Sequence, residues 1–117
     1  MAVSEQFKDH VLDLLAPIDG LAVKRMFGGA GIFRDGLMFA LMIDDGLYFK
    51  VDEKTKAYFE AVHSEAFTYR RGEKTIALSY FEAPEDVLDD GEEIILWAGR
   101  AWEAARRAAK QKNGPGK

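Results

Sequence analysis

The period of apolar and polar residues changes several times along this chain, and each change marks an element. Between Ser4 and Ala16, Phe7, Val11, Leu14 and Leu15 recur at helical spacing, which predicts a helix with one face on a core. Ser4 stands at the N-cap position, Glu5 complements the positive first turn, and Pro17 follows the end. His10 falls off the apolar stripe. From Met26 to Asp52 the period drops to two, interrupted by turn residues, which predicts a meander of antiparallel strands. Asp35-Gly36 suits a two-residue turn in which both central residues take positive φ. Asp44-Asp45-Gly46 reads as a three-residue loop with Gly46 left-handed, and Gly28-Gly29 as the first turn of the meander.

These turns imply a register. Pairing Ile43 with Leu47 places Leu37, Phe39, Leu41, Ile43, Leu47, Phe49 and Val51 on one sheet face, the expected core face. Phe33, Met38, Ala40, Met42, Tyr48 and Lys50 then share the other face, which is too apolar to stand fully in water. Arg25 resists the scheme, because a tight Gly28-Gly29 hairpin sets it on the core face beside Ile32. A bulge, a looser turn or an edge position would release its guanidinium.

Asp52 is placed to cap a second helix with Ala57, Tyr58, Ala61 and Val62 as its buried stripe. Residues 67–70 and 75–82 make a second hairpin across Arg71-Gly72-Glu73-Lys74, with Ile76, Leu78 and Tyr80 opposite in face to Ala77, Ser79 and Phe81. Pro84 starts a short helix that stops near Gly91, and Asp90 with Glu93 has capping-box spacing for a long final helix. Ile94, Trp97, Ala98, Ala101 and Ala105 line one face of that helix. The fold class is therefore α+β: an antiparallel sheet, built from a four-strand meander plus a hairpin, with helices packed against it in the order α-β-β-β-β-α-β-β-α-α. Residues 1–112 form the expected single domain and residues 113–117 a disordered tail.

Bulk properties narrow the chemistry. A chain of 117 residues can bury one core without disulfides, and it contains no cysteine for thiol catalysis or thiolate metal sites. A net charge of −4 disfavours an unaided grip on a phosphate backbone. That charge is uneven: Glu85, Asp86, Asp89, Asp90, Glu92 and Glu93 precede or begin the last helix, while Arg100, Arg106, Arg107 and Lys110 follow. Neither a membrane span nor a secretory signal is expected, and the predicted location is the cytoplasm.

No catalytic constellation emerges. His10 and His63 lie on different predicted helices without ligand-spaced partners, so no metal is expected. Ser79 sits mid-strand rather than in a nucleophile elbow. Gly28-Gly29-Ala30-Gly31 lacks the spacing of a phosphate-binding loop, and a strand rather than a helix follows it. The regular placement of the aromatics argues for core filling rather than base stacking. The expectation is a non-enzymatic protein without a cofactor.

The segment Arg25-Met26-Phe27-Gly28-Gly29-x-Gly31-Ile32-Phe33-x-Asp35-Gly36-x-Met38-Phe39-Ala40-Leu41 resembles the TfoX/Sxy N-terminal domain family. Leu47-Tyr48-Phe49-Lys50-Val51-Asp52, Phe67-x-Tyr69, Ser79-Tyr80-Phe81, Pro84-Glu85-Asp86 and Trp97-Ala98 continue the resemblance, which runs from about Phe7 to Ala105. It implies a bacterial cytoplasmic domain with a fold similar to secretion-chaperone-like domains. It also implies kinship with regulators of competence genes that act with the cyclic-AMP receptor protein at promoters. Those members look like two-domain proteins, and this chain is expected to be a stand-alone N-terminal domain. The family brings no catalytic residues.

The expected role is accessory regulation of transcription through protein–protein contacts, with the transcription machinery as partner. The candidate contact patch is Phe33, Met38, Met42, Tyr48 and Lys50, an apolar centre with a polar handle. The competing expectation is that the terminal helix covers this face; solvent exposure of Met38 and Met42 discriminates the two, and burial of both within the monomer would rule the patch out. A homodimer through the same face or an edge strand is a second reading. Direct DNA binding through Arg100, Arg106, Arg107 and Lys110 is a third, against a solvated helix end whose cations complement the dipole.

Overall fold

A computed structural model describes residues 4–26 and 28–112. The predicted tail at 113–117 and Phe27 lie outside the described residues. Helix α1 (Glu5–Leu14) precedes strands β1 (Leu21–Met26), β2 (Gly29–Arg34), β3 (Leu37–Ile43) and β4 (Gly46–Lys50). Helix α2 (Lys56–Ala61) leads to β5 (Ala66–Arg71) and β6 (Lys74–Glu82), followed by a 3₁₀ turn (Glu85–Asp89) and α3 (Gly91–Lys112). The strands form one antiparallel six-stranded sheet in the order β1-β2-β3-β4-β6-β5. The chain is an α+β fold with the predicted element order.

Local chemistry accounts for most boundaries. The Ser4 hydroxyl accepts the Phe7 amide at 3.1 Å, and the Asp90 carboxylate accepts the Glu92 and Glu93 amides at 3.0 and 3.1 Å. Asp35 and Gly36 take φ of 51° and 83°, as their two-residue turn requires. The next loop corrects the sequence reading. Asp44 and Asp45, at φ 53° and 61°, form a two-residue turn that pairs Ile43 with Gly46 rather than with Leu47. Gly46 is not left-handed; the aspartates occupy the positive-φ positions themselves.

A second correction lies in β3. Ile32 pairs with Ala40 and Phe33 with Met38, so Phe39 is an extra residue in the strand. At this bulge both Phe39 and Ala40 join the helix-side core, and the alternation reverses beyond it. Ala40 and Met42 belong to the helix-covered core, while Leu41 and Ile43 pass to the opposite face. The bulge and the shorter turn each shift the register by one residue. Their effects cancel in β4, so Leu47 and Phe49 face the helices as predicted.

The covered side is closed by α1, α3, the 3₁₀ turn and Phe59 of α2. Val11, Leu15, Ile94, Trp97, Ala98, Ala101 and Ala105 are buried there with Phe49 and Phe59, and α3 lies across β3 and β4. The predicted α2 stripe is wrong. Ala57, Tyr58, Ala61 and Val62 are exposed, and the buried residue is Phe59, whose ring meets Phe81 at 5.8 Å and Trp97 at 4.8 Å. A turn over residues 53–55 delays the helix, so the apolar face is rotated from the one that a start at Asp52 implies.

Candidate interaction surfaces

Among the described residues, the core clusters place helices on one sheet face and none on the other. Leu41, Ile43 and Tyr80 form the centre of that second face, and Met26, Met38, Tyr48, Phe67 and Leu78 pack around them. Leu41 is fully buried without a helix above it. Two glycines make this possible. A side chain on Gly31 would meet the Met38 sulfur at 2.5 Å and the Met26 sulfur at 3.1 Å, so thioethers fill the space that glycine leaves. A side chain on Gly29 would run into the Met42 carbonyl and the Ile43 side chain. The glycines of the Gly28-Gly29-Ala30-Gly31 stretch thus serve a turn and close packing. Gly28 takes the positive φ, at 77°, and Met26 pairs with Gly29 across the turn.

Phe33, Met38, Tyr48 and Lys50 lie on this helix-free face, each half-buried. Met42 does not join them. It is fully buried among the helix-side residues, because the Phe39 bulge turned it over. The terminal helix is not the cover for this face either, since α3 packs on the opposite one.

The polar chemistry of the face is modest and well partnered. The Tyr80 hydroxyl donates to the Met38 carbonyl at 3.2 Å, and burial pushes its pKa up to about 12. Lys50 donates to the Ser79 hydroxyl at 2.6 Å and stands 5.3 Å from the Tyr80 ring centroid. Burial lowers the Lys50 pKa, against the opposing pull of Asp52. Tyr48 is raised by burial first, then by Glu82 and Asp44, and its ring meets Phe67 edge-on at 5.2 Å. Lys24 lies 5.1 Å from the Phe33 centroid, a cation on this face that the sequence reading missed.

Arg25 is exposed on the edge strand β1, paired with Ala30 rather than Ile32, so the edge position releases it. The basic end of α3 is dispersed rather than gathered. Arg107 grips Asp52 with two hydrogen bonds of 2.5 and 3.1 Å, which hold the Asp52 carboxyl down at about 2. Arg106 meets Glu103 at 3.4 Å, Arg100 stacks on Tyr58 and Trp97, and Lys110 is exposed. Asp52 also accepts the Lys54 and Thr55 amides, both at 3.1 Å. It therefore ties the turn before α2 to α3 instead of capping α2 as predicted, because the N-cap position falls at Thr55.

His10 reaches the Leu88 carbonyl at 2.7 Å and His63 is exposed past α2. Among the described residues no group of three or more His, Cys, Asp or Glu could hold a metal ion. None of their helices is long and apolar enough to cross a membrane.

The TfoX N-terminal domain model matches residues 13–105, which take in the whole sheet, α2 and most of α3. The DNA transformation protein TfoX1 of Aliivibrio fischeri (strain ATCC 700601 / ES114) is 32% identical over 62 residues. That similarity covers 53% of this chain and 30% of the relative, so the chain matches under a third of the relative's length. With most of the chain inside the family match, this protein belongs to the TfoX N-terminal domain family.

Proposed function

We propose that this protein is an accessory regulator of competence-type genes that works through protein–protein contacts and has no catalytic role. Family membership supports the link to competence, as does a relative described as a DNA transformation protein. The observation that carries the contact reading is the helix-free sheet face, where Phe33, Met38 and Tyr48 stay half-buried beside Lys50. Such a surface has an apolar centre and charged margins, the composition that interface cores and rims favour. Its partner belongs to the cytoplasmic transcription machinery.

The test is genetic and structural together. Deleting the gene in its source bacterium should lower competence-gene transcripts, and the wild-type gene should restore them. A Phe33→Ala, Tyr48→Ala, Lys50→Glu triple variant with native circular dichroism should fail to restore them. Restoration by that variant would sink the contact surface, and unchanged transcripts after deletion would sink the regulatory role.

DNA binding through the end of α3 is less well supported, because Arg106 and Arg107 are already engaged with Glu103 and Asp52. A homodimer through β1 has one favourable observation: Ala22, Val23, Lys24 and Arg25 are exposed on an edge strand. Lys24 and Arg25 also charge that edge, a feature that discourages strand pairing. Light scattering at high concentration separates the two outcomes.

A further inference from the structure

We propose that the groove between α2 and α3 docks an acidic, aliphatic segment of a partner protein, with Arg100 as the receptor for its carboxylate. This site lies on the helix layer, away from the helix-free sheet face, and does not depend on that face's proposed role. The groove is a broad, open depression of about 550 Å³ lined by Tyr58, Ile95, Leu96, Gly99, Arg100 and Glu103 among others. Tyr58 and Leu96 are 47% and 49% exposed, more than any other large hydrophobic residue described. A side chain on Gly99 would meet nothing within 4 Å, so the groove is open at that point.

Arg100 is the unusual element. Its guanidinium carbon sits 3.8 Å from the Tyr58 ring centroid and 5.0 Å from that of Trp97. Trp97 is itself locked, with its indole N–H donating to Glu93 and its ring against Phe59. Stacking orients the guanidinium plane and lowers the entropy of ordering it, while its N–H donors remain free to form a fork. No carboxylate among the described residues pairs with Arg100. Charge accounting around the groove points the same way. Arg107 is matched by Asp52 and Glu103 by Arg106, which leaves Lys54 and Arg100 as unmatched cations.

In a chain of net charge −4 this is a local positive spot beside aliphatic surface. A carboxylate on Arg100 with a leucine-like side chain over Ile95, Leu96 and Gly99 satisfies both. Nucleic acid suits the groove less well, since Arg100 already takes one face of the exposed Tyr58 ring and the groove offers no second aromatic ring for a base to stack on.

The test uses the full ¹⁵N-labelled chain and two acetylated, amidated peptides, one alternating leucine with glutamate and one alternating leucine with lysine. The acidic peptide should shift the amide signals of Leu96, Gly99 and Arg100, and the lysine peptide should bind at least about tenfold more weakly. Arg100→Ala should weaken the acidic peptide about tenfold, with Arg100→Lys recovering only part of the loss. Should Arg100→Ala lose the native spectrum, Leu96→Ser provides the same readout from a half-exposed position. Equal binding of both peptides, binding unaffected by these substitutions, shifts confined to the sheet face, or no shift would each overturn the proposal. So would a single-stranded oligonucleotide that shifts the same amides more strongly than the acidic peptide.

Discussion

Leu41 and Met42 are neighbours in one strand, both fully buried, and they are buried by different means. Met42 lies beneath a helix layer that comes from both ends of the chain. Leu41 lies on a face with no helix and is closed by side chains of the sheet itself. The covered face uses large rigid rings, Phe39, Phe49, Phe59 and Trp97, held between two layers. The bare face uses a close backbone approach at Gly29 and a gap at Gly31 that flexible thioethers fill. Sealing a sheet face therefore does not require a second layer, but without one the closing side chains stay partly in water. Those half-open side chains are the material of the proposed contact surface.

The largest effect should come from the covered face. Phe49→Ala should cost about 3–5 kcal/mol in urea unfolding, because a fully buried ring leaves a cavity between layers. Leu41→Ala puts the comparison under direct strain. It should cost about 2–5 kcal/mol, close to Met42→Ala, even though nothing helical covers it. A cost under about 1 kcal/mol would show that the bare face is not a true core.

Gly29→Ala should cost about 2–3 kcal/mol, since the obstacle is the Met42 backbone rather than a flexible side-chain end. Gly31→Ala meets mainly thioether ends and should cost less. Equal melting temperatures for the two variants would break the account of how the bare face closes.

The Asp52–Arg107 pair allows a pH test. The folded pKa of Asp52, about 2, lies below its ordinary value of 3.8, so its stabilisation is present above about pH 4 and is lost as pH falls towards 2. Discounted for partial exposure, the increment is about 1 kcal/mol. Thermal melts should show this loss in the wild type and its absence in Asp52→Asn; the same acid sensitivity in both would refute the assignment. The smallest effect is expected from Phe33→Ala, under about 1 kcal/mol in the same urea assay. Comparison with Phe49→Ala sharpens the contrast between an outer closing side chain and an inner ring.

Much of this was legible in the order of residues. The Ser4 cap, the Asp35-Gly36 turn, the α3 stripe and the element order all depend on contacts within a few residues, and each appears as expected. The shared face of Phe33, Met38, Tyr48 and Lys50 was legible and that of Met42 was not, because face assignment multiplies along a strand and a single bulged residue inverts the rest of it. Phe39-Ala40 carries no turn residue to announce that bulge. The Arg100–Tyr58 stack and the Asp52–Arg107 pair join residues far apart in sequence, so no local pattern could reveal them.

Turn chemistry and periodicity thus determined, from the sequence alone, which elements form, in what order, and that an antiparallel sheet carries helices. Only the tertiary structure decided which face of β3 those helices cover, which cations remain unmatched, and which apolar side chains stay half in water. The physical reason is range. Backbone propensity and capping are settled within a turn or two of chain, whereas side-chain burial and charge pairing depend on what the rest of the fold brings alongside.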